Sequence, residues 1–284
     1  MQCISPMSVA RPNGKNSQDR VTVPCGKCMA CLQSKRNQWA YRLNNELKHA
    51  QNAFFITLTY DDDHLPQGGS LDKRALQLFL KRLRHDLLPV GTSLPHLSQS
   101  VLKLKYYIVG EYGTKSERPH YHCLLFNLHS EIKIDKLLLK HWTYGQHHIG
   151  KVSSASISYT AKYVINKNYE VQFKEPCFAL ISSKPGIGSN YLSTHGMYHK
   201  KNKIFYGQTQ GQKVALPRYY KDRIFNRREI EENLIKVQAL IDQQNQEKTE
   251  KFNQTGENIF HSVLEQKIQF ENSSKLRSTK NNKL

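Results

Sequence analysis

Acidic side chains are scarce in this chain: 23 Asp and Glu stand against 42 Lys and Arg in 284 residues, a formal net charge of +19. Long apolar runs are also missing. Ala53–Phe54–Phe55–Ile56 and Cys123–Leu124–Leu125–Phe126 are among the longest, far short of the roughly 20 residues that cross a bilayer. Met1 to Gly14 has no charged segment followed by an apolar one, so no secretory signal is expected. No internal repeat is visible, and no G-x-x-x-x-G-K-[ST] phosphate loop. Membrane and exported proteins are thereby set aside, as is any nucleotide-driven motor of the phosphate-loop type.

What is present is a core and a strong positive field. Fifteen Tyr and eleven Phe supply bulk for burial, and the length suits one large domain or one domain with an appendage. The charge is unevenly divided. Residues 229–284 carry nine acids and eight bases, a net of −1, whereas residues 1–228 carry 34 bases and 14 acids, a net of +20. So basic a domain suits a polyanion, because neutralised phosphates release condensed counterions. Solvated surface lysines are the alternative. Cys25, Cys28 and Cys31 are too crowded for ordinary disulfides among themselves, and with Cys3 they offer four thiolates, enough for a tetrahedral structural Zn²⁺ in a reducing compartment. An iron–sulfur cluster and unliganded reduced thiols are the other readings.

The periodicities divide the chain into a cysteine-rich start with a basic helix (1–50), a central domain (51–228) and a polar, helical, partly disordered tail (229–284). A helix-like stretch runs to Ala50 with Trp39, Leu43 and Leu47 on one face, and residues 54–60 alternate as a strand. Ser70 is placed to cap a helix over 71–88 with Leu76, Phe79, Leu83 and Leu87 as its apolar stripe. Residues 105–112 and 120–125 form a hairpin. Helices are expected over 130–141 and 157–168, and a polar one over 228–252 with Ile230, Leu234, Val237 and Ile241 at coiled-coil spacing. Beyond Gln254 the composition suggests disorder. The class expected is α+β.

Two groups of residues carry chemistry. His120 and His122 are two apart on a strand, so both imidazoles face one side, and antiparallel pairing can bring Glu111 alongside. Two neutral imidazoles and a carboxylate hold a cation and leave positions open; a pair of ordinary surface histidines is the plain alternative. Tyr159 and Tyr163 are four apart with Lys162 between them, so on a helix both phenols share a face. A phenol with a reference pKa of about 10 is a poor nucleophile unaided, but a metal on a phosphodiester and a nearby lysine make its attack feasible. Packing of both rings on a core is the alternative. A third group, Arg218, Tyr219, Tyr220, Lys221, Arg223 and Phe225, interleaves cations with rings. That pattern suits either stacking of single-stranded bases or a small C-terminal core, and His199 to Lys203 is an equally ambiguous basic cluster.

Phe55–Ile56–Thr57–Leu58–Thr59–Tyr60, then Gly110–Glu111–Tyr112–Gly113 with Arg118–Pro119–His120–Tyr121–His122, then Tyr159–Lys162–Tyr163–Val164–Asn166–Lys167 occur in that order. This order resembles the three motifs of the HUH rolling-circle replication initiators in their two-tyrosine branch, and in particular the initiators of the gokushovirus-type microviruses, small phages with single-stranded DNA. Pro24–Cys25–Gly26–Lys27–Cys28 and Leu216–Pro217–Arg218–Tyr219–Tyr220 extend the likeness over residues 1–228; the bulky Tyr121 between the histidines departs mildly from it.

The resemblance implies a central antiparallel sheet with flanking helices, Mg²⁺ or Mn²⁺ held by His120, His122 and Glu111, and tyrosine attack that yields a 5′-phosphotyrosine and a free 3′-OH. It implies nicking and rejoining at an origin during rolling-circle replication in the host bacterial cytoplasm. Arg118 and Lys167 join the third group as expected DNA contacts, and a host helicase and host DNA polymerase are the expected partners. A plasmid initiator, a single-strand transposase of the same chemistry, and a non-catalytic basic protein that binds single-stranded DNA through a zinc knuckle are the alternatives.

Overall fold

Alternating β-branched and aromatic residues make strands that bury one side chain in two on each face. Three such runs in this chain lie within 75 residues of one another and pair directly. The computed structural model describes residues 3, 5–11, 20–87, 103–113, 116–128, 133–162, 173–209, 211–255, 264–265, 268–269 and 272. Tyr163 and Lys167, the end of the helix expected to reach residue 168, and most of the tail beyond residue 255 lie outside these.

In chain order the elements are β1 (Met7–Ala10), β2 (Arg20–Val23), α1 (Met29–His49), β3 (Ala53–Thr59), α2 (Lys73–Leu87), β4 (Lys105–Tyr112), β5 (Pro119–Phe126), α3 (Ile134–His141), β6 (His147–Lys151), α4 (Ser154–Lys162), β7 (Phe178–Ile181), α5 (Asn190–Asn202), β8 (Tyr206–Thr209), β9 (Gln212–Ala215), α6 (Arg218–Ile224) and α7 (Arg227–Thr255). Five strands form an antiparallel sheet in the order β6-β3-β5-β4-β7. The expected α+β class and hairpin are therefore present, with β5 at the centre.

The two faces of the sheet are covered separately. Ile56, Leu58, Tyr121, Cys123 and Leu125 point to one side, where α2 and α3 bring Leu76, Phe79, Leu83 and Leu138. Tyr107, Val109, Leu124 and Phe126 point to the other, against Leu43 of α1 and Ile157 of α4. Glu46 of α1 and Lys105 of β4 form a buried ion pair at 2.9 Å, and Glu46 Oε2 also accepts from the Gly188 amide at 2.7 Å. These contacts bolt α1 to the sheet and to the loop before α5.

Two expectations are corrected here. Asp72, not Ser70, caps α2: its Oδ1 accepts from the Ala75 amide at 2.9 Å. Ser70 Oγ instead accepts from the Glu175 amide at 2.9 Å, a long-range contact that overrides the local one. The C-terminal helix is present as α7 and runs to Thr255. Its Ile230 packs on a third small core of Tyr41, Tyr191, Leu216, Tyr220 and Phe225, while Leu234, Ile235, Val237 and Leu240 are exposed. No helix among the described residues is long and apolar enough to cross a membrane.

Candidate metal centre and nucleophile

The β4–β5 register places Glu111 directly opposite His120. Strand alternation sends His120 and His122 to the face covered by α1 and α4, and Tyr121 to the other. Glu111 Oε1 lies 2.9 Å from His120 Nε2 and 3.0 Å from His122 Nε2. One ligand atom from each of the three residues falls within 4.8 Å of the others. Glu111 and His122 are buried and His120 is half-buried.

The far nitrogen of each imidazole is anchored. His120 Nδ1 sits 3.2 Å from the Arg118 carbonyl oxygen, which can only accept, so the Nδ1 proton is donated there. His122 Nδ1 meets Thr57 Oγ1 at 3.1 Å across the β3–β5 pair. Phe55 stacks on the His122 ring at 5.5 Å between centroids and 14° between planes. A neutral His120 so anchored points an Nε2 lone pair at a carboxylate oxygen, and His122 does the same when it donates to Thr57. Such an arrangement of acceptors calls for a cation among them, a proton or a metal, and the His/His/carboxylate donor set fits a divalent ion with open positions. Protonation shows the same pull. Burial pushes the Glu111 carboxyl up, but hydrogen bonds with His120 and His122 override it and hold it below its ordinary value. Burial likewise lowers His120, but the Glu111 carboxylate raises it on balance.

Tyr159 stands beside this triad. Its ring meets the His122 ring edge-on, centroids 5.2 Å apart, because α4 packs across this face with Ile157 and Ala161 buried. Lys162, at the end of α4, has its proton affinity lowered by burial first and then by Arg36, with Glu111 pulling the other way; it therefore lies within reach of both charges. Arg36 on α1 donates from Nε to the Ser158 carbonyl at 3.2 Å. Arg36, Thr57 and Phe55 were given no individual role by the sequence reading. The two residues on β3 share the parity of Thr59 and face His122 and Leu124, a signal available from strand alternation; Arg36 is one basic residue among many on its helix.

The cysteines converge as the sequence suggested. Sγ–Sγ distances are 3.5 Å for Cys3–Cys25, 3.8 Å for Cys3–Cys28 and 4.0 Å for Cys25–Cys31. Sulfurs about 2.3 Å from a tetrahedral zinc lie about 3.8 Å apart, so the four thiols fit such an ion. Gly26 at φ +73° turns the chain so that the Cys28 amide donates to Cys25 Sγ at 3.3 Å. Backbone hydrogen bonds hold the Cys25 thiol below its ordinary value, whereas burial pushes Cys31 up to about 12.

The ring-and-cation cluster on α6 is corrected. Tyr220 is 0% exposed, and its hydroxyl donates to the Gly188 carbonyl at 2.8 Å. Tyr219 is sandwiched between the guanidinium groups of Arg42 and Arg223, each 3.9 Å from the ring centre. Neither ring has a face open for a base, so the C-terminal-core reading holds for both. Arg218 is exposed and pairs with Asp222 at 3.2 Å; Lys221 is half-buried. Arg118 binds Asp62 at 2.6 Å and the Tyr60 carbonyl at 3.0 Å, tying the end of β3 to the hairpin.

Fold and site together define a class: a strongly basic α+β domain whose central antiparallel sheet, compatible with the HUH architecture, carries a His/His/Glu cluster beside a helix-borne tyrosine. Residues 53–168 match the family model of replication-associated protein ORF2, a span holding β3, the triad and α4. The chain is 30% identical over 217 residues to replication-associated protein VP4 of Bdellovibrio phage phiMH2K, covering 70% of this chain and 66% of that protein. It is 29% identical over 227 residues to replication-associated protein ORF2 of Spiroplasma virus 4, covering 72% and 68%. With replication-associated protein ORF4 of Chlamydia phage 1 it shares 28% over 229 residues, covering 70% and 53%. The chain thus spans just under two thirds of the first relative and about half of the third. No solved structure matches. The chain belongs to the family of replication-associated proteins of small phages, the microviruses.

Proposed function

We propose that this protein nicks one DNA strand at the replication origin of a circular single-stranded phage genome, holds the 5′ phosphate on tyrosine and rejoins strands during rolling-circle replication in the host cytoplasm. The observation that carries this reading is the Tyr159 ring set against His122 of the Glu111–His120–His122 cluster. Mg²⁺ or Mn²⁺ held by these three residues would polarise the scissile phosphate. Thr57 and the Arg118 carbonyl keep both imidazoles aimed while the strand binds. Arg36 and Lys162 supply positive charge where the phosphate gathers negative charge. The phenol oxygen of Tyr159 bonds to phosphorus, the P–O3′ bond breaks, and the phenolic proton ends on the departing 3′ oxygen, with Lys162 placed to relay it. The 3′-OH then primes synthesis, and the phosphotyrosine keeps the bond energy, so rejoining needs no nucleotide.

Tyr163, outside the described residues, is in this proposal the second nucleophile one helical turn on, and Lys167 a DNA contact. With no phosphate loop in the sequence, unwinding falls to a host helicase and synthesis to a host polymerase. The names of the relatives favour a phage initiator over a plasmid initiator or transposase. The cysteine cluster, in the same proposal, holds one structural Zn²⁺ that pins the chain start to α1; metal analysis of the purified protein should find about one zinc per chain, and iron or no metal would remove this assignment.

The test of the nuclease is a covalent adduct. Labelled origin-strand DNA, incubated with protein and Mn²⁺, should shift on a denaturing gel, and chelation should abolish the shift. Tyr159→Phe and Tyr163→Phe should each leave an adduct on the remaining tyrosine, and the double variant none. Tight DNA binding without any adduct would leave the non-catalytic alternative standing.

A further inference from the structure

We infer that the cavity between α1, α5 and the β8–β9 hairpin binds one unpaired nucleotide of the DNA strand, its base against tyrosine and its phosphate at Lys48. The inference rests on the nucleic-acid reading above and adds a second contact point to it. The cavity measures about 280 Å³, near the lower end of the about 300–1,000 Å³ typical of small-molecule sites, the scale of a single nucleoside.

Its floor is rigid and its hydrogens can be assigned. His199 Nδ1 faces the Ile204 carbonyl at 2.8 Å and donates to it, which leaves Nε2 as an acceptor. The Tyr191 hydroxyl donates to that Nε2 at 2.6 Å, and the Tyr41 hydroxyl donates to Tyr191 at 2.8 Å. Gly207 is required behind this floor, because a Cβ there would collide with the Tyr41 hydroxyl oxygen.

The walls have the chemistry of single-strand recognition. Tyr198 is 58% exposed and Tyr206 is 37% exposed, with Lys213 Nζ 4.6 Å above the Tyr206 ring. Asn45 and Gln208 contribute amides, the groups that read base edges, and Lys48 stands exposed at the rim. Among the described residues no acidic side chain lines the cavity. Aromatic faces within a cationic, acid-free rim are the means by which proteins hold single strands. The neighbourhood is positive enough to be felt by His195, whose proton affinity is lowered by burial first and then by His199, His49 and Lys48. Arg36 at the candidate nuclease centre and Lys48 at this cavity are twelve residues apart on α1, about 18 Å at the helical rise, so one strand can touch both.

The experiment is a salt titration of fluorescein-labelled oligo(dT) binding, read by anisotropy, on the full chain and on the Tyr198→Ala and Lys48→Ala variants. Tyr198→Ala should weaken binding about tenfold at fixed salt. Lys48→Ala should flatten the log–log salt dependence by about 0.7, one phosphate contact on a single strand. In both variants adduct formation at saturating origin DNA should match the parent. Photocrosslinking of oligo(dT) carrying iodouracil should mark Tyr198 or Tyr206. Unchanged affinity and slope in both variants, or crosslinks confined to α4 and β5, would overturn the assignment even with adduct formation intact. Conversely, these binding effects in a chain that forms no adduct would support the cavity and remove the nuclease reading.

Discussion

Tyr121→Phe separates the stability of β5 from its chemistry. The ring lies between His120 and His122 in sequence but on the opposite face of the sheet, fully buried among the residues under α2. Its hydroxyl accepts from the Asp72 amide at 2.8 Å, donates to the Asp72 carbonyl at 3.1 Å and meets the Tyr60 hydroxyl at 2.9 Å. Burial pushes its pKa up to about 12, so near neutral pH it is an un-ionised donor. Deleting the oxygen leaves Asp72, the cap of α2, without both partners. Unsatisfied buried groups cost about 1–3 kcal/mol each, but Asp72 is half-exposed and water replaces part of the loss. The net is about 2 kcal/mol, a melting-temperature fall of about 4–8 °C for a domain of this size. Thermal melting by circular dichroism, with adduct formation assayed at 25 °C, well below the transition, reads both quantities. Melting should fall by that amount and the nicking rate should stay within about twofold, since the imidazoles face the other way. Lost nicking with unchanged melting would show that position 121 acts on the site itself and that the two-face division is wrong.

Thr57→Val keeps the shape and removes the oxygen that orients His122; manganese affinity should drop about 10–100-fold and Thr57→Ser should restore it, whereas equal affinities by calorimetry would leave Thr57 a mere strand residue. Asp86 takes hydrogen bonds from Lys140, His85 and His141, with Lys140 the strongest, and its carboxyl is held well below the ordinary range. Because the folded-state value is depressed, its contribution to stability is full above the unfolded value near 3.9 and fades as pH falls through the folded one. Asp86→Asn should therefore lower the melting temperature near neutral pH and converge on the parent in strong acid; a gap that persists there would mean the side chain acts by packing. Truncation after Phe252 removes only the end of α7 and the tail, so adduct formation should survive; its loss in a folded truncation would bring the tail into the active assembly.

How much of this was legible depended on sequence separation. Glu111 and His120 are nine residues apart in one hairpin, and period-2 alternation with a polar turn was enough to put them face to face. The apolar stripe of α2 and the length of α1 were read equally well, from local periodicity. Where two cap residues stood two apart, tertiary structure chose, because the Glu175 amide claimed Ser70. β6 was missed: His147–Lys151 has little strand propensity, and only the free edge of β3 makes it a strand. The α6 cluster was ambiguous for a deeper reason. Rings alternating with guanidinium groups serve a DNA groove or a cation–π ladder equally well, and only the placement of Arg42 against Tyr219 decides which.

The residues that tune the site belong to the same distant class. Thr57 reaches His122 across 65 residues, and Arg36 reaches the Ser158 carbonyl across 122. A local pattern can supply ligands and a nucleophile, because strands and helices repeat within a few residues. What keeps an imidazole in one tautomer, or brings a guanidinium to the phosphate, comes from whichever element packs against it. The proposed ligands of this replication protein were thus readable one strand at a time, whereas the groups that would set their protonation could be named only once α1 and β3 had been placed around β5.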